Sequence, residues 1–452
     1  MISKFRSNPT LGRLAANYGM AGVLVLLGIY YSWATLKPQQ EVGGEAARSL
    51  AGEVLATAGP QARVLIVARR GADDAVFADT LASLLEAKGA TVVAKVVGEP
   101  ADARRALGAV GDAGGGVDVI AATAEASHWA VFDDFTRKFP SLAGAKLIVP
   151  RPSNWPTFLK RDNLLNVANQ VVVIALLAAG LTLVIISGGI DLSVGSMVAL
   201  SAVVCALLIR ELGGAAAGWS ILFVCSAAGV VICAIVGACS GVLVTVFRIP
   251  PFITTLAVML IARGLAYILA EGQSIYEIPA SFVWLGQGSS LGTIPNAVVL
   301  MVLVYAAAHV LMSRTTFGRY VYAVGGNAEA ARLSGVRVNV VLLIVYVLSG
   351  AMAGLGGIVV ASQLKSGSPT YGVMYELYAI AAVVVGGTSL AGGSGKVLGT
   401  LIGALIIAVI HNGMNLTGVE SYRQNVVLGL VILGAVMLDM IRRHGWRELI
   451  RR

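Results

Sequence analysis

The sequence predicts an all-α polytopic membrane protein of about ten transmembrane helices, with a small α/β domain inserted after the first helix. Three observations carry this. Of the 452 residues, 57% are apolar and only 13% are charged, about half the charged share of an ordinary soluble domain. Mean hydropathy is +0.81. Apolar runs of about 20 residues, the length that crosses a bilayer, recur along the chain. They are interrupted only over 40–160, where charged residues and short β-type runs take over. A soluble enzyme and an extended disordered chain are excluded. The 54 glycines suit close helix–helix contact in lipid.

Residues 1–39 read as a cytoplasmic leader with Lys4, Arg6 and Arg13, followed by an apolar run from Tyr18 to Leu36. Lys37-Pro38-Gln39 follows in place of a small-residue cleavage site, so the run reads as a retained anchor with its N-terminus inside. Residues 40–160 read as an extracytoplasmic α/β insert. Strand-like runs lie at Ala62–Arg70, Ala90–Val97, Val117–Thr123 and Ala145–Val149, with helical stretches at 74–88, 100–112 and 129–139. Strands alternating with helices predict a small parallel sheet covered on both faces. The order resembles one lobe of a periplasmic sugar-binding protein. A single lobe offers at most half a cleft, so weak or no sugar binding is expected of the isolated domain.

Residues 161–441 read as the transmembrane domain. Its spans fall at about 167–187, 196–210, 218–246, 252–270, 297–312, 340–361, 376–391, 397–415 and 424–441. Threading the spans from an inside start puts Arg248, Arg314, Arg319, Arg332, Arg337 and Lys396 inside, with the basic tail 442–452. The outside loop 271–296 carries Glu271 and Glu277 and no Lys or Arg. This bias predicts cytoplasmic N- and C-termini. Residues 44–150 hold 11 basic and 13 acidic residues, leaving 22 basic against 11 acidic elsewhere, so the net charge of +9 belongs to loops and tails. Nucleic-acid binding is not implied, because the basic residues sit between spans and not on one soluble face.

Two motifs break the apolar runs. In Ser187-Gly188-Gly189-Ile190-Asp191-Leu192-Ser193-Val194-Gly195-Ser196, two glycines end one helix and a lone carboxylate stands at the edge of the next. Burying Asp191 in hydrocarbon would cost about 2.5–3.5 kcal/mol or more, so it faces protein or water. It either caps the following helix, as Ser193 also can, or takes part in gating and passage. Gly386-Gly387-Thr388-Ser389-Leu390-Ala391-Gly392-Gly393-Ser394-Gly395-Lys396 suggests a phosphate loop and is not one. The glycine required at 390 is Leu, and the Ser or Thr required at 397 is Val. Nucleotide chemistry, where needed, belongs to another subunit. The turn reads as a meeting point of two short helices.

A third motif lies on the predicted inside: Gly325-Gly326-Asn327-Ala328-Glu329-Ala330-Ala331-Arg332-Leu333-Ser334-Gly335-Val336. Asn327 is suited to cap a short helix and Gly335 to stop it. Presenting Arg332 and Leu333 between spans, that helix could dock in a partner's groove or serve as a plain loop helix. Arg263, about two-thirds through the fifth span, either pairs with backbone carbonyls or a carboxylate in the bundle, or lines a path. Cys205, Cys225, Cys233 and Cys239 read as small apolar residues. With His128, His309, His411 and His444 scattered, no metal site is expected.

These motifs together carry a resemblance. SGGIDLSVGS, FRIPPFITTLAV, ARG at 262–264, FGRYVYAVGGNAEAARLSGV and GGTSLAGGSGKVLGTLIGALI resemble the permeases of ribose/xylose/galactose-type ABC sugar importers, within the branched-chain amino acid/sugar permease superfamily. The match runs from about Asn163 to Leu438. The resemblance implies a multi-pass protein of the bacterial inner (plasma) membrane, with membrane lipid around it. It implies a homodimer around a central pathway, a cytoplasmic ABC ATPase and an extracytoplasmic sugar-binding protein. It implies no enzyme activity, cofactor or metal in this chain.

The family's coupling segment maps onto Gly325, Gly326, Asn327, Glu329, Ala330, Arg332, Leu333, Ser334 and Gly335. Its pore-side segments map onto Gly188, Gly189, Asp191, Ser193 and Gly195, and onto Gly386, Gly387, Thr388 and Ser389. Arg263 is a further pathway candidate. Family members have a short loop where this chain has about 120 residues, a departure that bears on delivery: the insert docks the binding protein or stands in for part of it over the pore mouth, or it is a passive spacer or an independent sensor. The competing classes are an ion-coupled secondary carrier and a receptor sensing a small ligand through the insert. A carrier usually needs several buried carboxylates or histidines, and this chain offers chiefly Asp191, with Glu376 and His411 near span ends.

Overall fold

A computed structural model describes residues 9–112 and 116–444; the leader charges Lys4 and Arg6, and the tail from 445, lie outside these. The chain forms two units, one of residues 1–35 with 157–452 and the other Leu36–Pro156.

In the second unit, the paired ends come first. Strand β1 (Leu36–Gln39) runs antiparallel to β6 (Ser153–Pro156), with Leu36 opposite Pro156 and Gln39 opposite Ser153. The unit therefore starts and ends at one place. Helix α2 (Gly43–Ala58), which the sequence reading did not assign, precedes a four-stranded parallel sheet of order β3-β2-β4-β5. Its strands are β2 (Arg63–Arg69), β3 (Thr91–Gly98), β4 (Val119–Ala122) and β5 (Lys146–Ile148), close to the runs expected. Between them lie α3 (Ala72–Glu86) and α4 (Pro100–Asp112).

Strand alternation divides β2 between two cores. Val64, Ile66 and Ala68 bury with α2 and α3, whereas Leu65 and Val67 bury with α4. Helix α4 begins with Pro100 in its first turn, and Asp102 reaches back to the Glu99 amide at 2.9 Å, half of a capping box. The helix expected over 129–139 is a correction. Within it only one helical turn forms, α5 (Phe135–Lys138), between 3-10 turns at Ala126–His128 and Pro140–Leu142. Asp134 takes a left-handed φ of 54° and Pro140 stops continuation.

The first unit is helical. It comprises α1 (Pro9–Ala34), α6 (Arg161–Ile186), α7 (Val194–Leu212), α8 (Trp219–Thr245), α9 (Pro251–Leu269) and α10 (Asn296–Arg314). Then come α11 (Thr316–Gly326), α12 (Ala328–Leu333), α13 (Val338–Leu364), α14 (Tyr375–Val385), α15 (Val397–Leu416) and α16 (Ser421–His444). Among the described residues, seven helices are long and apolar enough to cross a bilayer: α6 to α10, α13 and α15. The remaining three apolar runs form shorter stretches, Gly19–Ala34, Tyr375–Val385 and Ser421–Met437. The run expected to continue to 391 ends at Val385. Gly387 takes a φ of 88°, and Thr388 and Gly387 donate their amides to Val383 and Val384, a Schellman stop. At 11 residues, α14 is about 16 Å long, half of a hydrocarbon core.

Helices α6 and α7 are buried on nearly every face, whereas α8, α9 and α10 expose apolar sides such as Phe223, Leu260 and Leu303. Helices α8 and α13 meet through small residues. A side chain on Gly237 or Gly241 would strike the α13 backbone, and one on Gly350 or Gly354 the α8 backbone. Both are Gly-x-x-x-Gly faces, which let helices approach where lipid gives no hydrophobic drive.

Candidate functional site

The three motifs singled out from the sequence meet at one junction. Helix α6 ends at Ile186, and Gly188 (φ 87°) turns the chain with the same two-bond stop as at Gly387: the Gly189 amide to Val184 and the Gly188 amide to Ile185. The Ile186 carbonyl, left free by that ending, accepts the Gly393 amide at 2.8 Å. The end of α11 lies against both. A Cβ on Gly325 would meet the Ile186 carbonyl oxygen head-on and the Gly393 nitrogen at 2.7 Å. One on Gly392 would meet the Gly325 oxygen at 2.8 Å and the Gly188 Cα at 3.1 Å. Tyr322 of α11 adds a hydrogen bond from its hydroxyl to the Gly395 carbonyl, at 2.8 Å. Three backbones thus touch where only glycine fits.

Beyond Gly326, Asn327 caps α12, its Oδ1 accepting the Ala330 amide at 2.9 Å. Arg332 pairs with Glu329 at 2.6 Å, the Ser334 hydroxyl donates to Ala330, and Gly335 ends the turn with a φ of 86°. Leu333 is 80% exposed. The capped helix, with its leucine in the open, is joined through α11 to both glycine turns.

Asp191 is 1% exposed. Its Oδ1 accepts the Ser193 amide at 3.0 Å and hydroxyl at 2.5 Å, and its Oδ2 accepts the Ser349 hydroxyl of α13 at 2.8 Å. These bonds keep the carboxylate away from hydrocarbon and tie the turn before α7 to α13. A Cβ on Gly189 would lie 2.7 Å from the Tyr346 hydroxyl, which is buried without a partner. Sequence reasoning missed Ser349 and Tyr346; the signal was two polar groups three residues apart in a 27-residue apolar helix.

The start of α7 packs on the loop before α14. A Cβ on Gly195 would strike Glu376 and the Gly372 carbonyl. Arg263 of α9 fastens that same loop, its Nη1 donating to the carbonyls of Pro369 at 2.7 Å and Tyr371 at 2.6 Å. Backbone carbonyls, one of the two partners expected for Arg263, are therefore its hydrogen-bond acceptors. Ser389 closes the second glycine turn, its amide donating to Ser394 and its hydroxyl accepting the Ala391 amide. The Thr388 hydroxyl is buried without a partner.

A cavity of about 340 Å³ opens between α6, α13, α14 and α15. Most of its wall is apolar, with Gln170, Gln363, Tyr375, Tyr378 and His411 as the polar groups. None of these was chosen from the sequence as a pathway residue, since a single polar side chain in a span carries no motif.

The branched-chain amino acid transport system / permease component family matches residues 163–438. The ribose import permease protein RbsC of Escherichia coli (strain K12) is 46% identical over 288 residues, 63% of this chain and 87% of that protein. The ribose import permease protein RbsC of Bacillus subtilis (strain 168) is 45% identical over 286 residues, 63% of this chain and 86% of its own. The D-allose transport system permease protein AlsC of Escherichia coli (strain K12) is 37% identical over 284 residues, 63% of this chain and 85% of its own. No solved structure matches the chain.

Proposed function

Because the chain belongs to the branched-chain amino acid transport system / permease component family, we propose that it is the transmembrane subunit of an ATP-binding-cassette importer that carries a monosaccharide inward. Energy comes from a separate cytoplasmic ATPase. The observation that carries this reading is the junction of Gly325 with Ile186 and Gly393. It joins an exposed, capped helix to both glycine turns through backbone contact, so force applied at Leu333 reaches the turns without passing through pliable side chains. Sugar as the cargo rests on the relatives above, two named for ribose and one for allose.

Two copies assemble around the path, each with ten membrane passes counting α1, the half-length α14 and α16. Both termini face the cytoplasm, in keeping with the basic loops. The insert then stands outside, where a separate sugar-binding protein delivers its cargo. Asp191, Ser193 and the 386–395 turn hold the gate region in shape, and Arg263 sets the loop before α14. An ion-coupled carrier is disfavoured, since Asp191 already spends its oxygens on two serines.

The test is copurification from a detergent extract, followed by reconstitution of the chain with its partners in proteoliposomes. ATP-dependent uptake of D-ribose or a related monosaccharide is expected. Uptake driven by a proton or sodium gradient with no ATPase present would overturn the proposal.

A further inference from the structure

The ribbon at the root of the α/β unit leaves apolar side chains uncovered. Strands β1 and β6 pair only with each other, and a two-stranded piece is marginal in water unless something lies against it. Residues directly opposite each other share a face, so Lys37 and Trp155 stand together, with Leu36 and Pro156 on the other face. Trp155 is 52% exposed, and Leu36 is exposed as well. Lys37 is also exposed and enters no ion pair among the described residues. The Trp155 carbonyl accepts the side-chain amide of Gln39 at 2.8 Å, which braces the strand that carries the indole.

The place of the ribbon in the chain says what covers it. Strand β1 starts two residues after α1 ends, and Pro156 comes five residues before α6, a helix long and apolar enough to cross a bilayer. At the foot of the ribbon the two chain segments are tied. Thr157 donates its amide to the Thr35 carbonyl and Phe158 its amide to the Thr35 hydroxyl, both at 3.1 Å. Trp33, in the last turn of α1, is 75% exposed, the position of an interface anchor. From Thr35 onward each strand residue advances about 3.3 Å, and the headgroup layer is about 5–8 Å deep on each side of the hydrocarbon. The pairs Leu36 with Pro156 and Lys37 with Trp155 fall within that depth.

The charge agrees. Residues 36–40 and 152–161 hold Lys37, Lys160 and Arg161 and no acidic residue. An indole suits the boundary where one end of the ring is apolar and the other wet, and an ammonium beside it suits the phosphate of an anionic lipid. We propose that the β1–β6 ribbon is a lipid-binding foot: Trp155 lies in the headgroup layer, and Lys37 beside it holds the phosphate of an anionic phospholipid. The site is independent of the transport reading above, since it needs only that the flanking helices cross a bilayer.

The full chain is placed in nanodiscs of phosphatidylcholine with phosphatidylglycerol, and the emission of Trp155 is taken as the difference between the parent and Trp155→Phe. Lipid brominated near the carbonyl end of its chains should quench that emission, and aqueous acrylamide should reach it poorly. In neutral detergent, added phosphatidylglycerol should shift the same emission to shorter wavelength. Lys37→Gln should raise the concentration needed about fivefold, the worth of one cation near a lipid surface, and Lys37→Arg should keep the parent value. Phosphatidylglycerol retained by the two Lys37 variants, counted by native mass spectrometry, gives the same reading if Trp155→Phe fails to fold. Trp155 emission untouched by brominated lipid overturns the proposal, whether acrylamide reaches the ring freely or a protein surface shields it. So does equal phosphatidylglycerol affinity in Lys37→Gln and the parent, or displacement of the lipid by inorganic phosphate.

Discussion

Gly393 donates its amide to the Ile186 carbonyl at 2.8 Å, and a side chain on Gly325 would strike both partners of that bond. Gly325→Ala should therefore cost far more than its single methyl suggests, because overpacking against backbone forces shifts worth about 1–3 kcal/mol. Gly429→Ala is the control, since nothing lies within 4 Å of a Cβ there. Uptake in proteoliposomes should collapse for the first and stay within about twofold for the second. Equal uptake by the two variants would show that the junction does not transmit anything.

Asp191 and Ser349 should behave as one unit. Ser349→Ala leaves the buried Oδ2 without its donor, at a cost of about 1–3 kcal/mol. Asp191→Ala combined with Ser349→Ala should cost less than the two single losses added together, with a coupling of roughly 0.5–3 kcal/mol. Thermal midpoints of the four proteins in the same detergent measure this. Strict additivity would mean the 2.8 Å bond contributes nothing to the native state.

Leu333 is the exposed apolar tip of α12. Leu333→Asp should leave the thermal midpoint in place and abolish copurification of the ATPase. Exchanging the charges, with Glu329→Arg and Arg332→Glu, should also leave stability nearly unchanged, because an exposed pair is worth about 0–1 kcal/mol. The same exchange should lower ATPase retention and transport if the partner reads those charges. Retention matching the parent in both variants would remove α12 from the contact.

The elements that were legible in the sequence were those written in local chemistry. The cap at Asn327, the stop at Gly335 and the strands of the insert follow from residue type and spacing. The turns at Gly188 and Gly387 were visible as glycines, but their meeting with Gly325 was not, because it is made by backbone atoms from three distant stretches. Ser349 was hidden for another reason: a serine in an apolar helix looks alike whether it bonds its own backbone or another helix. Helix α14 is shorter than the expected span because that span carries on to Leu390 and Ala391 across Gly386-Gly387-Thr388-Ser389, where the backbone turns. Over 129–139 composition favours a helix, but the left-handed Asp134 interrupts it, and Val131 and Phe132 are buried in the sheet's core instead.

The paired ends of the insert make its removal a clean experiment. Gln39 stands opposite Ser153 on neighbouring antiparallel strands, so deleting residues 40–152 and joining the ends with Asn-Gly converts β1 and β6 into a two-residue hairpin. Asn-Gly is the sequence that such a turn favours. No helix of the first unit is cut, and its buried core from α6 to α15 contains no residue of the deleted stretch. The shortened chain should insert, dimerise and retain its ATPase. If the insert docks the binding protein, uptake at low sugar should fall and recover when the binding protein is supplied in excess, since a lost contact is offset by mass action. Uptake identical to the parent at every binding-protein concentration would assign the insert no part in delivery. Loss of membrane insertion itself would mean that the α/β unit is needed for folding of the permease, contrary to its separate core.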